Sequence, residues 1–141
     1  MAKISENLLE VRQHTGSGYL PLVDFGAWRV AILNFADELR LEEITRLQRH
    51  NETDEVFVLL QGRCLLFIGS GADQVTRIHG VNLEPRKLYN VRKGVWHHHT
   101  LSVDAMVLVV ENRDTTYDNS PFCELTAPQL QELRELGREL L

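Results

Sequence analysis

The chain has 141 residues, 43% of them hydrophobic and 25% charged, with a net charge of −5. This length allows one domain with a real core and excludes two ordinary ones. The acidic balance and the lack of a dense Lys/Arg cluster argue against a nucleic-acid partner, and no apolar run approaches the roughly 20 residues needed to cross a bilayer, so no membrane partner is expected either.

Met1 to Glu6 lack the basic start and apolar centre of a signal peptide, so a cytoplasmic protein is expected. Residues 3–12 suggest a short, weak helix carrying Leu8, Leu9 and Val11, broken by Gly16-Ser17-Gly18. Tyr19 to Phe25 reads as extended, and Pro21 suggests a sheet edge. Gly26 turns the chain into a strand candidate, residues 27–34. Phe35 to Glu43 is too short for a helix and is read as a loop or a single turn, with the acidic run from Asp37 to Glu43 solvated.

Ile44 to His50 alternates, so Ile44, Arg46, Gln48 and His50 share one face. A face carrying Arg, Gln and His is either solvated or the wall of a polar pocket. Asn51 to Asp54 is turn chemistry. Glu55 then opens the apolar strand Val56 to Leu60, sharing its face with Phe57 and Leu59. Gln61-Gly62-Arg63 is predicted to turn this strand into a hairpin with Cys64 to Ile68. Cys64 and Cys123 form no CxxC pair and read as reduced structural thiols.

After Gly69-Ser70-Gly71, a weaker strand is predicted over Val75 to Val81, and a short one over residues 87–91. Lys93-Gly94 turns into Val95 to Leu101, where His97 and His99 point one way and His98 the other. Val103 to Val110 is a long apolar strand; Glu111 to Ser120 is polar and read as irregular. Thr126 to Leu141 is a helix. Thr126 and Gln129 fit a capping box, Pro128 falls in the first turn, and Leu130, Leu133, Leu136 and Leu140 form one apolar stripe. Seven or eight short strands and one terminal helix indicate an all-β sandwich or barrel. If the stretch from Gln48 to Gly62 meets Gly94 to His97 in space, two imidazoles and a carboxylate converge, a set that suits a divalent metal with open positions.

The arrangement Gln48-x-His50, Glu55, Gly62 and later Gly94-x-x-His97 resembles the two-motif pattern of the cupin superfamily. That pattern is His-x-His, Glu and Gly, followed by Pro-x-Gly-x-x-His-x-x-x-Asn. The resemblance implies one all-β cupin domain over residues 1–141, a double-stranded β-helix or jelly-roll barrel at about 19–111 with a C-terminal helix at about 126–141. The sequence departs from the pattern at Gln48, Arg92 and Leu101, which stand where the family has His, Pro and Asn. The implied metal set is therefore His50, Glu55 and His97, with Gln48 in the remaining place, for a divalent ion such as Fe, Zn, Mn or Ni. His99 is a candidate substitute ligand or substrate contact. Arg46 suits a substrate carboxylate. Tyr89, Trp96 and Trp28 are candidate pocket walls, with plain core packing as the alternative for each.

Two functions stay open. One is a metal-dependent isomerase, lyase or dioxygenase acting on a sugar, hydroxy acid or keto acid. The other is a non-catalytic module that binds a small ligand or regulates through a degenerate metal site. A homodimer is expected through the apolar outer row Val56, Val58 and Leu60.

Overall fold

The inward and outward alternation of the strands builds two sheets from ten strands. The computed structural model describes residues 3–141; the first two residues of the N-terminal leader reading lie outside it. The strands are β1 (Tyr19–Phe25), β2 (Trp28–Asn34), β3 (Arg46–Gln48), β4 (Glu55–Gln61), β5 (Cys64–Ser70), β6 (Arg77–Asn82), β7 (Tyr89–Val91), β8 (Trp96–Leu101), β9 (Met106–Asn112) and β10 (Phe122–Glu124). One sheet has the order β1-β2-β9-β4-β7 and the other β10-β3-β8-β5-β6, with antiparallel pairing throughout. The helix α1 (Ala127–Leu140) closes the chain, and no described helix is long and apolar enough to cross a membrane.

Two apolar layers result. The first lies between the sheets and includes Leu33, Phe57, Leu59, Leu66, Leu101, Val107 and Val109. The second lies between the β10-β3-β8-β5-β6 sheet and α1, where Leu47, Leu65, Phe67, Ile78 and Trp96 meet Leu133. The helix is capped as expected: the Thr126 hydroxyl accepts from the Gln129 backbone N–H at 3.3 Å, and Gln129 Oε1 accepts from the Thr126 N–H at 2.9 Å. Its leucine stripe covers a sheet face, with Leu133 fully buried.

Several expectations change. Residues 3–12 hold only a turn at 6–8 and no helix, because Leu8 and Val11 stay exposed and an isolated segment this short has too little packing to stabilise it. Residues 35–43 form two 3-10 turns, Asp37–Leu39 and Leu41–Glu43. The predicted hairpin at Gly62 is instead a corner. β4 pairs with β7 and β9, whereas β5 pairs with β6 and β8 in the other sheet. Gly62 takes φ +71°, and a Cβ there would lie 2.7 Å from Ala105 Cα, so the crossing needs glycine. The strand predicted from Val103 begins at Met106 and continues to Asn112, which carries Glu111 into the sheet. β10 falls in a stretch to which the sequence assigns no element.

Candidate metal centre

The two stretches that carry the sequence motifs are joined by backbone. The Gly94 N–H donates to the His50 carbonyl at 2.8 Å, with Gly94 at φ +79°, and Gln48 sits opposite His97 in the β3–β8 register. His50 follows β3, Glu55 opens β4 and His97 lies second in β8, all three buried. One nitrogen or oxygen from each lies within 4.8 Å of the other two. His97 Nε2 is 2.8 Å from Glu55 Oε1, and His50 Nε2 is 3.4 Å from the same oxygen.

The outer nitrogens decide what the inner ones offer. The His97 Nδ1–H donates to the Val95 carbonyl at 3.0 Å, which can only accept. In the neutral ring Nε2 is then a bare lone pair aimed at a carboxylate oxygen. A positive centre, a proton or a metal ion, must stand between them.

His50 is set the same way through a longer chain. Asn119 Nδ2 donates to Glu52 Oε2 at 2.8 Å and to the Asp114 carbonyl at 3.0 Å, so its Oδ1 is the acceptor for the Ser120 hydroxyl at 3.1 Å. The Ser120 oxygen therefore accepts the His50 Nδ1–H at 2.7 Å, and the His50 Nε2 lone pair faces inward. This is how metal-binding imidazoles are commonly held, with the far N–H on a carbonyl or a hydrogen-bonded polar group. The residues present fit a divalent ion.

The acid–base balance follows from burial and proximity. Burial pushes the Glu55 carboxyl up, but hydrogen bonding to His50 and His97 outweighs it and holds the group well below the usual carboxylate range. Burial pulls His97 down, and Glu55 more than reverses this, so His97 is raised. Burial pushes His98 down to about 4, helped by His97 and Arg46. Burial likewise pushes His99 down to about 3, helped by His98. Both rings are thus neutral at physiological pH.

A cavity of about 770 Å³ opens onto this group. Arg46, Gln48 and His99 line it as the alternation implies, and His98 joins them although it alternates to the other side of β8. Gln48 has its amide engaged: Nε2 donates to the Ser120 carbonyl at 3.0 Å. The Arg46 guanidinium stacks 3.6 Å from the Phe122 ring centroid, with Glu124 at 3.9 Å.

Of the three aromatic candidates, Trp96 and Tyr89 take the core-packing alternative, and Trp28 is neither core nor cavity wall. Trp96 is 2% exposed beneath α1, because its place in β8 is opposite in phase to His97. Tyr89 packs against the inter-sheet core, and its hydroxyl accepts the Glu84 N–H at 3.0 Å. Trp28 lies on the exterior, half-exposed against Phe25. None of the three lines the cavity. The aromatic rings that do are Tyr19, Tyr117 and Phe122.

The sequence reading missed Glu111, Tyr19, Asn119 and Ser120. Glu111 is 7% exposed and accepts from the Tyr19 hydroxyl at 2.5 Å. Its other oxygen, Oε2, is buried without a partner, 4.0 Å from His50 Nε2. Burial and the adjacent Glu55 push the Glu111 carboxyl up to about 8. Burial, with Glu111 beside it, raises the Tyr19 hydroxyl, which stays protonated. The signal for Glu111 was available: a carboxylate ending an apolar strand mirrors Glu55 opening one.

No protein-family model matches the chain, and no curated protein matches it. Solved structures do. A variant of Streptomyces PAC13 solved with uridine has 13% identity over 92% of this chain and 97% of its own, with a TM-score of 0.54. The QdtA 3,4-ketoisomerase of Thermoanaerobacterium thermosaccharolyticum, in complex with TDP, has 19% identity over 70% of this chain and 68% of its own, with a TM-score of 0.53. The Lactobacillus farciminis oxalate decarboxylase formate complex has 11% identity over 82% of this chain and 34% of its own, also at 0.53. At these identities the likeness is one of architecture, and together with the two five-stranded antiparallel sheets it shows that the chain has the cupin fold.

Proposed function

We propose that the protein is a metal-dependent enzyme acting on a small, hydroxyl-rich metabolite, of the isomerase, lyase or dioxygenase type. The observation that carries this is the convergence of His50 Nε2, Glu55 Oε1 and His97 Nε2 within 4.8 Å at a large cavity. When bound, a divalent ion such as Fe, Zn, Mn or Ni would act as a Lewis acid on a substrate hydroxyl or carbonyl oxygen. His50, Glu55 and His97 would hold it, each imidazole fixed by its outer hydrogen bond.

Away from the acidic centre the cavity mixes uncharged polar groups with a cation, Arg46, and the carboxylates Glu38 and Glu43. His98 and His99 are neutral, and Thr45, Thr115 and Thr116 add hydroxyl groups. Tyr117 and Phe122 present ring faces 5.9 Å apart at the wall. Arg46 offers a cation for a substrate carboxylate or phosphate. The fold neighbours support this reading: QdtA is a ketoisomerase solved with TDP, and Pac13 is a nucleoside dehydratase solved with uridine.

The tie between Gln48 and the Ser120 carbonyl favours a second reading. Gln48 stands where the family has a histidine and its amide serves the loop, so the module would bind a ligand without catalysis. Elemental analysis of protein purified without added metal separates the two. Stoichiometric metal that is lost in His97→Ala supports the enzyme. No metal under any loading condition overturns it and leaves the binding module.

We also propose a homodimer. In the β1-β2-β9-β4-β7 sheet, Val30, Ile32, Val56, Val58, Leu108 and Val110 alternate with buried neighbours and stay half-buried, and Leu60 is 53% exposed. The helix α1 covers the other sheet, leaving this apolar face open. Light scattering at micromolar concentration is expected to give twice the monomer mass; a monomer overturns it.

A further inference from the structure

Glu111 is built into the same centre from the strand opposite. In β9, Val107, Val109 and Glu111 form one inward row, and Val56 pairs with Val110 in the register between β4 and β9. Glu55 and Glu111 therefore lie at the same end of adjacent antiparallel strands, on the same inner face. Each is 7% exposed. The Tyr19 hydroxyl holds one Glu111 oxygen, and the other is turned toward His50 and the Glu55 carboxyl, with no N–H or O–H of another residue donating to it. Two carboxyl groups packed together in a buried place cannot both stay ionised without a positive centre between them, either a proton or a cation. A bound cation would take the place of that proton and satisfy both carboxylates.

We propose that Glu111 Oε2 is the fourth protein ligand of the ion held by His50, Glu55 and His97, making a centre of two histidines and two carboxylates. The inference rests on the metal reading above and replaces Gln48 as the fourth member. Ligand atoms about 2.1 Å from an ion lie ~3 Å apart when adjacent and ~4 Å when opposite. The separations here, 2.8, 3.4 and 4.0 Å, span that range. Two ionised carboxylates and two neutral imidazoles also neutralise a divalent charge. Without an ion they leave two carboxyl groups side by side in a buried place. Replacing an imidazole by a second carboxylate makes the set harder, which favours Mn²⁺ or Fe²⁺ relative to a three-histidine site.

The test is Mn²⁺ binding, followed by calorimetry and by electron paramagnetic resonance of the free ion, to wild type, Glu111→Gln, Gln48→Ala and His97→Ala. Circular dichroism checks the fold of each. Wild type is expected to bind one ion, Glu111→Gln to lose at least ~10-fold in affinity, and Gln48→Ala to lose less than Glu111→Gln. Wild-type affinity in Glu111→Gln overturns this inference and leaves the three-residue centre standing. No binding by wild type overturns both. Should Glu111→Gln fail to fold, difference infrared spectra of loaded against metal-free wild type decide. Two perturbed carboxylate stretches support Glu111 as a ligand, and one overturns it.

Discussion

The two ends of the barrel interior are lined by the same strands and obey different rules. β4 runs inward-facing from Glu55 to Phe57 and Leu59, and β8 from His97 and His99 to Leu101. β9, antiparallel to β4, runs from Val107 and Val109 to Glu111. At one end every inward group is apolar and only volume matters. At the other, every inward group needs a specific partner. Substitutions at the two ends should therefore fail differently, one in stability and the other in binding.

The largest expected effect on stability is at the apolar end. Leu59 is 4% exposed in the inter-sheet core, and Leu59→Ala is expected to cost about 2–5 kcal/mol of unfolding free energy. Urea titration measures this, and metal bound per folded molecule should not change. If it falls as far as in His97→Ala, the two ends are not separable.

At the polar end, Ser120→Ala removes the acceptor for the His50 Nδ1–H and lets the ring turn. Metal affinity is expected to fall about 10–100-fold, measured by chelator competition, with a smaller change in stability than Leu59→Ala. An unchanged affinity would show that His50 needs no help from the loop that carries Asn119 and Ser120.

A pH series sharpens the contrast further. His97 is raised in the folded protein, so its contribution to stability is full below its unfolded value of about 6.5 and is lost as pH rises through the folded one. Glu111, raised to about 8, has the same sign, so its share falls between its ordinary carboxylate range and about pH 8. Glu55, depressed, contributes above its unfolded value and loses this only in strong acid. His98 and His99, held low by burial, work the other way and offset these losses up to about pH 6.5. The metal-free protein should therefore lose thermal stability from about pH 6.5 to pH 8. Metal affinity should rise over the same interval, because the ion competes with protons. A melting temperature that rises from about pH 6.5 to pH 8 in metal-free protein contradicts this balance.

The smallest effect is at the cavity rim. Arg46→Ala should cost about 1 kcal/mol or less by urea titration, because its contacts with Phe122 and Glu124 are partly solvated. A larger loss would make the rim part of the folding core.

What the sequence disclosed follows the same division. Alternation and turn residues located most strands and the capped helix, because those signals are local. The convergence of His50, Glu55 and His97 was legible only through motif spacing. Glu111 was hidden by assigning the polar run after Val110 to a loop, although β9 carries the inward phase one step further. For Trp96 the sequence leaves cavity wall and core packing both open, and strand phase decides it: one step out of phase with His97, the indole lies under α1. The corner at Gly62 resembles a hairpin locally, and only the pairing of β9 with β4 distinguishes them.

That corner has a consequence for how the centre comes into being. Glu55 and His97 stand on opposite walls, separated by 42 positions, and the loop that orients His50 arrives 70 positions after it. No contiguous fragment shorter than His50 to His97 contains the three inner donors, and Ser120, which holds the His50 ring, lies beyond it. An ion that needs all of these donors would find them together only after the two walls have met, so loading would follow folding of the barrel rather than guide it.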